Sequence, residues 1–396
     1  MTKHFLAALL FIVYAQPAFS ANLFGINISS NDFPDQPYRS FTRIQDLFDA
    51  TKQTSIAQIP GYSQISSLDV EIKLGNSSAH LKYAANSSQL EFSMPNCPSV
   101  NRTFDSGTSN NPISRAANEN NFRDYINSSS IQTKINKCLA ATNQPNPITP
   151  FPVGCFLDCD STSEEDQENF GIGLTIGYSS SGNLNRSILT LPLSYTHYYE
   201  EEGRKLKISA PISYVDINGS KAYKASLGLI YTRPINERWT VIPATRLGVT
   251  VSKDMGIAAT VASAYLTNRY EFPYRNKHVT LANMVGIMTT VDIDIAGYKN
   301  NYDLNNQIIK NGIAVEFPQT FQMLGGKTSI QASLANTQFF GDEMKIDNYT
   351  DIAVSFGTRR KVGNKDNSQD SLQLGFTYTV GNHGYKGGKI NFGYEF

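Results

Sequence analysis

The chain has 396 residues, with 34 basic and 34 acidic side chains and a formal net charge of zero. This balance argues against a protein that binds nucleic acid through bulk charge, because such proteins carry a basic surface. Charged residues make up only 17% of the chain, below the roughly 25% of an average soluble protein. After residue 20, no apolar run approaches the ~18 residues of a membrane-spanning helix, so a bundle of membrane helices is excluded.

The first twenty residues have the pattern of a secretory signal peptide. Lys3 supplies a positive charge, Phe5 to Ala15 is a short apolar stretch, and Ala18-Phe19-Ser20 is a small-x-small cleavage site. An N-terminal anchor or a buried helix is the weaker alternative, since the stretch is short for a span. We therefore expect residues 1–20 to direct export through the Sec pathway.

Residues 21–143 have mixed periodicity, which predicts a small α+β domain. Helical spacing of apolar residues covers Phe41 to Ser55 and a second stretch from about Ser114 to Ala141. Between them, LDVEIKL, SAHLKYA and SQLEFSM are short alternating segments separated by turn residues, as in strands.

Four cysteines, Cys97, Cys138, Cys155 and Cys159, all lie before residue 160. An even number in an exported chain indicates two disulfides, and four cysteines allow three pairings. Spacing alone favours Cys97–Cys138 together with Cys155–Cys159. A zinc site is the weaker alternative, because neither the spacing nor the histidines match one; we expect no metal and no cofactor.

A proline-rich and acidic linker, residues 144–168, separates this domain from a long period-two region, residues 169–396. In KLKISAPISY and SLQLGFTYTV, for example, apolar residues alternate with Ser, Thr, Gly and Lys. About twelve such strands follow one another, many of them as long as the ~9–11 residues that a tilted strand needs to cross a bilayer.

Such an array is compatible with a soluble all-β domain or with a membrane barrel. The membrane barrel is favoured because several strands alternate beyond the usual ~5–6 residues and their polar face is rich in small residues, as in a barrel lumen. The predicted fold is an all-β transmembrane barrel of about 12 antiparallel strands, preceded by the small α+β domain.

The chain ends in KINFGYEF, with Ile390, Phe392, Tyr394 and Phe396 on one face. This ending resembles the C-terminal signature of Gram-negative outer-membrane β-barrels, and the layout resembles autotransporter-type translocators. The resemblance implies that these four residues form the signal read by the barrel-assembly machinery, that outer-membrane lipid surrounds the barrel, and that the protein is a translocator or transport channel.

Continuing the alternation predicts which charged residues face the lumen. They are Lys205, Lys207, Lys224, Arg246, Arg359, Lys389 and Glu395. Their charge is mostly positive, which favours anions or an acidic segment. A packed or salt-bridged interior without solute preference is nevertheless the favoured interpretation, since small barrels fill their interior with side chains.

No catalytic motif was found, and His197, His278 and His383 are scattered along the barrel, so we expect no enzyme. A rim enzyme that uses these histidines is the weakest hypothesis. The main alternative to transport is a surface or periplasmic scaffold or adhesin, whose N-terminal domain binds another envelope protein.

Overall fold

The computed structural model describes residues 24–43, 46, 60–63, 65–75, 77–87, 89–105, 112–142, 169–201, 203–255, 257–291, 294–295, 298–299, 302–323, 326–359 and 371–395. The predicted signal peptide, the linker 144–168 and most of the helix predicted over Phe41 to Ser55 lie outside these residues. The domain boundaries set by sequence therefore stay predictions.

The N-terminal part contains a six-stranded antiparallel sheet in the order β2-β1-β3-β4-β5-β6. Its strands are β1 (Phe24–Ser29), β2 (Arg39–Phe41), β3 (Leu68–Leu74), β4 (Ser77–Tyr83), β5 (Leu90–Ser93) and β6 (Arg102–Phe104). Apolar residues alternate along these strands, so one face of the sheet forms a core that includes Ile26, Val70 and Phe92.

Two helices pack on this core, α1 (Pro112–Asn127) and α2 (Ser129–Thr142). The sequence predicted one helical stretch, but the structure divides it at Ser128. The Ser128 hydroxyl donates a hydrogen bond to the carbonyl of Tyr125, and the Ser128 carbonyl accepts from Ile131 and Gln132 at the start of α2. A serine that bonds to local backbone in this way competes with a continuous helix.

A disulfide joins Cys97 to Cys138 of α2, with Cα atoms 5.7 Å apart, so this predicted pair is confirmed. The cross-link ties α2 to the sheet through the segment that follows β5. Cys155 and Cys159 lie outside the described residues.

The C-terminal part is a closed barrel of twelve antiparallel strands, as predicted. In chain order its segments are β7 (Asn169–Ser181), β8 (Leu184–Leu191), β9 (Leu193–Tyr198), β10 (Lys205–Ser209), β11 (Ile212–Ile217), β12 (Ser220–Pro234), β13 (Trp239–Ser252), β14 (Ile257–Tyr274), β15 (Lys277–Val291), β18 (Asn305–Met323), β19 (Gly326–Gly341), β20 (Asn348–Arg359), β21 (Ser371–Gly381) and β22 (Lys386–Glu395). The short β16 (Asp294–Ile295) and β17 (Tyr298–Lys299) form a separate ribbon.

Two of the twelve strands are each divided by proline. β8 and β9 form one strand interrupted at Pro192, and β10 and β11 form another interrupted at Ala210 and Pro211. Both halves of each strand pair with the same neighbours. Proline has no backbone N–H to donate to a ladder, so one bond is missing at each proline, but the carbonyls of Pro192 and Pro211 still accept from Gly173 and Ser226. β7 then pairs with β22 and closes the barrel.

The outer face of the barrel is apolar around its whole circumference. β7 alone exposes Phe170, Ile172, Leu174, Ile176 and Tyr178. Other strands expose Leu191, Leu227, Leu247, Leu266, Val285, Ile313, Leu334, Val354, Phe376 and Phe392. A belt of this size is far larger than the apolar patches of soluble proteins and fits a barrel surrounded by lipid. None of the described helices is long and apolar enough to cross a membrane.

The two ends of the barrel differ. The start of β7, the end of β22 and the turns after β9, β12 and β14 lie at one end, which we call the terminal rim. The turns after β7, β11, β13 and β19 lie at the other end, which we call the far rim. The turn after β11 is tight because Asn218 and Gly219 both have positive φ, 50° and 88°.

The N-terminal part is seated on the far rim. One continuous apolar cluster joins the core of its sheet to barrel residues near that rim, among them Leu184, Val215, Ile217, Ala222 and Met255. The hydroxyl of Ser220 also donates a hydrogen bond to the carbonyl of Thr42. The mouth of the barrel at the far rim is therefore in contact with the N-terminal domain.

Candidate functional site

The candidate site is the inner face of the barrel, whose side chains are set by strand register. Along β12 the outward Tyr223, Leu227 and Leu229 are exposed, whereas Ala222 and Lys224 are buried. Residues paired across the ladder point to the same face, so the register carries this assignment from strand to strand.

By this assignment the predicted lumen residues share the inner face. Lys205, Lys224 and Arg246 expose only 6%, 4% and 8% of their surfaces, and Lys207 and Lys389 are half-buried. Arg359 and Glu395 hold inner positions in the register, through Gly357 and Gly393 on the same strands, but their side chains lie outside the described part. That these residues contact a solute stays a prediction.

Arg246 is the best-defined of these cations. Its Nη1 donates to the Ser226 hydroxyl and its Nη2 donates to the Ser209 hydroxyl, both at 3.0 Å. A side chain at Gly228 would lie within 3.1 Å of Nη2, so the glycine leaves room for the guanidinium.

Sequence reasoning missed the inner cations Arg269 of β14, Lys310 of β18 and Arg186 of β8. Arg186 pairs with Ile217 and Ser179, both inner positions, and it interacts electrostatically with Lys224. The sequence pattern indicated this position, because Arg186 lies two and four residues before Ile188 and Thr190 and so shares their face of the strand. Arg186 lies close to a turn, however, where the alternation is harder to extend.

The inner face of strands β14 to β21 has a different character. An apolar cluster there includes Tyr265, Met284, Met288, Ile308 and Phe339. Its charged inner residues are mixed in sign: Arg269 pairs with Glu271 at 2.8 Å, and Thr379 donates to Asp351 at 2.6 Å. This half of the interior is thus packed and carries charges of both signs.

At the far rim, a charged contact accompanies the apolar seat of the N-terminal domain. Lys137 of α2 lies 3.1 Å from an oxygen of Asp303 and 3.4 Å from an oxygen of Asp342. Partial burial acts to lower the pKa of Lys137, but hydrogen bonds and attraction to the two carboxylates outweigh it and raise the pKa above its usual value. The lysine therefore stays charged at all physiological pH values.

The predicted assembly residues lie on the outer face of the last strand. Phe392 is exposed, and Ile390 and Tyr394 are half-buried, while Phe396 lies outside the described residues. β22 forms the closing seam with β7, but a role of these residues in assembly stays a prediction.

The barrel histidines are not brought together. His197 stacks edge-on with Tyr199 at 5.0 Å, His278 pairs with Pro273 and Glu316, and His383 lies in the turn after β21. Among the described residues, no group of three or more His, Cys, Asp or Glu side chains is placed to hold a metal ion.

Comparison with known proteins gives structural matches only. No family model matches the chain, and no curated protein matches it. The β domain of the Bordetella autotransporter BrkA matches with a TM-score of 0.44 and 13% identity, over 58% of this chain and 99% of that one. The translocator domain of NalP from Neisseria meningitidis matches with a TM-score of 0.40 and 10% identity, over 61% and 90%.

The transport unit of AIDA-I from Escherichia coli matches with a TM-score of 0.37 and 10% identity, over 66% of this chain and 96% of that one. These scores are low, so the description of the barrel rests on the strand pairing of this chain, and its function is argued from its own geometry.

Proposed function

We propose that this protein is an outer-membrane barrel of the translocator or transport type, which presents its N-terminal domain on the side of the membrane opposite to the barrel termini. The observation that carries the proposal is the position of that domain. Lys137 of α2 contacts the far rim, whereas Asn169, where the barrel begins, lies at the terminal rim.

This arrangement requires the chain to cross the membrane between these two residues. Backbone outside helices and closed sheets cannot satisfy its polar groups in lipid, which supports a crossing through the barrel interior as part of the proposal. The proposal includes the barrel-assembly machinery as a partner during biogenesis, export through the Sec pathway, and no catalytic activity.

The second candidate function is a non-transport scaffold or adhesin anchor. The N-terminal domain is cross-linked by a disulfide and has its own sheet and helices, as expected for a module that binds a partner in an oxidising compartment. In this case the barrel would serve only to hold the domain at the membrane.

Protease accessibility tests the proposed orientation. An epitope placed beside Asn22 is followed after protease treatment of intact cells, with a periplasmic protein as the control for membrane integrity. We expect loss of the epitope while the barrel fragment stays intact. Survival of the epitope until the outer membrane is permeabilised would place the domain in the periplasm and overturn the proposal.

Deletion of residues 21–143 separates the two candidate functions. If the protein is a scaffold or adhesin, the deletion abolishes partner binding, and neither the full-length nor the shortened protein conducts in planar bilayers. If the barrel is a transport channel, the shortened protein conducts at least as much as the full-length protein.

A further inference from the structure

Among the described side chains, the acidic residues of the inner face lie on only one half of the barrel. Strands β7 to β13, together with the adjoining β22, carry five inner lysine or arginine side chains besides Arg246. We call this surface the cationic wall, defined by Arg186, Lys205, Lys207, Lys224, Arg246 and Lys389. Among the described inner side chains of β7 to β13 and β22 there is no aspartate or glutamate, and Glu395 of β22 holds an inner position in the register only. The described inner acids Glu271, Glu316 and Asp351 lie on the other half, together with the cations Arg269 and Lys310.

The cationic wall extends over the height of the barrel. The height of each cation can be assigned from its partner on β12. Lys205 pairs with Thr232 and Lys207 with Ile230, and Arg246 pairs with Gly228. Lys224 belongs to β12 itself.

Arg186 completes this series at the far rim. It is level with Ser220 through Ile217 of β11. The path from Thr232 to Ser220 is about 40 Å along the strand, at ~3.3 Å per residue, and the levels of successive cations along it differ by about 7 to 13 Å.

Hydroxyl groups lie between the cations of this wall. Thr190 and Ser213 share a hydrogen bond of 2.8 Å on this face, and Ser209 and Ser226 hold Arg246. Gly177 leaves room for the stem of Lys389, since a Cβ at this glycine would lie 3.1 Å from the Lys389 Cγ. Fixed guanidinium and ammonium groups among hydroxyls are suited to carboxylate, phosphate or sulfate oxygens.

We propose that the cationic wall is a binding path for elongated multivalent anions, which enter from the terminal rim beside Lys205 and Lys207. An anion that carries several charges contacts successive cations at once, so it is held more tightly than a monovalent anion. The proposal deepens the transport function proposed above and rests on it for its physiological meaning, but anion binding itself is measured independently of transport.

The test is an equilibrium titration of the full-length protein in detergent with inorganic tripolyphosphate, compared with orthophosphate. We expect tripolyphosphate to bind at least about tenfold more tightly. Arg246→Gln should weaken its binding about tenfold, the size expected for the loss of a charge-assisted hydrogen bond. Lys207→Gln, at a half-buried position near the terminal rim, should weaken it as well without disturbing the packed interior.

The matched control is Lys310→Gln, which removes an inner lysine of β18 on the opposite half and should change the affinity less than about twofold. Heat-modifiable mobility in gels shows whether each variant is a folded barrel.

The proposal is overturned if orthophosphate binds as tightly as tripolyphosphate, or if folded Arg246→Gln and Lys207→Gln bind tripolyphosphate as the parent does. It is also overturned if Lys310→Gln loses as much affinity for tripolyphosphate as those two variants. If the epitope experiment fails while tripolyphosphate binding behaves as expected, the translocator orientation is wrong and the anion path stands.

Discussion

At the scale of single residues, the closing seam of the barrel depends on a glycine that faces another glycine. Gly173 of β7 pairs with Gly393 of β22, but their surroundings differ. A Cβ at Gly173 would lie 2.5 Å from the carbonyl oxygen of Phe392 and 2.9 Å from Pro192 Cγ, whereas a Cβ at Gly393 would have no atom within 4 Å.

We therefore predict that Gly173→Ala destabilises the barrel and that Gly393→Ala does not. Overpacking of this kind costs about 1–3 kcal/mol, since the backbone oxygen of Phe392 cannot move without breaking the seam. The measurement is the temperature at which the folded barrel converts to the slower-migrating unfolded band in gels. Equal transition temperatures for the two variants would show that the seam tolerates a methyl group at Gly173.

At the scale of elements, the disulfide holds α2 against the sheet across a sequence separation of 41 residues. Closing a loop of this size in the unfolded chain contributes roughly 4 kcal/mol in the chain-entropy account of disulfide stabilisation. We predict that Cys97→Ser/Cys138→Ser lowers the free energy of unfolding of the N-terminal domain by about 2–4 kcal/mol and leaves the barrel transition unchanged.

Limited proteolysis of the purified protein in increasing urea measures this effect, because the barrel remains folded while the domain opens. Cys155→Ser/Cys159→Ser is the comparison variant and should keep most of that stability. If the two double variants lost the same amount, the Cys97–Cys138 link would have no special role in holding α2.

A second prediction for the elements concerns the outer face of β12. Leu227 lies near the middle of this strand opposite Leu247, and Tyr223 lies close to the far rim; both are more than half exposed. Arginine on the lipid face of a barrel costs about 2–4 kcal/mol at the membrane midplane and about 0–1 kcal/mol near the interface.

Leu227→Arg should therefore reduce barrel insertion strongly, and Tyr223→Arg should reduce it little. Folding into lipid vesicles, followed by gel mobility, measures the difference. Equal tolerance of arginine at the two positions would mean that lipid does not surround this face.

The elements also show how far the sequence could be interpreted alone. Strict alternation of apolar and polar residues was sufficient to predict the strands of the barrel, because one face of each strand contacts lipid and the other faces the interior along its whole length. The short β1 was not predicted, although Phe24, Ile26 and Ile28 alternate, because it follows directly on the expected signal peptide. Pro192 divides a strand in a way that alternation cannot reveal, since the side-chain pattern continues across it.

The inner site was only partly predictable for a related reason. Alternation assigns Lys205, Lys224 and Arg246 to the inner face, but it says nothing about which strands are neighbours around the barrel. The closure of β7 on β22 places Lys389 beside the cations of β8 to β13, which alternation alone cannot show. The contact of the N-terminal domain with the far rim could likewise not be predicted from the sequence, because it depends on residues far apart in the chain, such as Lys137 and Asp342.

At the scale of the whole molecule, two kinds of contact hold the N-terminal domain over the mouth at the far rim. The partly exposed ion pairs of Lys137 with Asp303 and Asp342 contribute about 0–1 kcal/mol. The buried apolar contact is stronger, since replacing a buried isoleucine by alanine costs about 2–5 kcal/mol, and Ile217 exposes only 2% of its surface in the shared cluster.

We therefore predict that Ile217→Ala releases the domain from the mouth far more than Lys137→Ala does. The measurement is the conductance of the full-length protein in planar bilayers. We expect more frequent and larger openings for Ile217→Ala and nearly parental conductance for Lys137→Ala. The control is Lys134→Ala, which changes an exposed lysine of the same helix and should leave the conductance at the parental level. Each variant must first show the parental heat-modifiable mobility, so that a weakened barrel is not mistaken for an open mouth. If Lys137→Ala opened the mouth as often as Ile217→Ala, the charges rather than the apolar cluster would hold the domain, and if neither variant changed conductance, the domain would not control passage through the barrel.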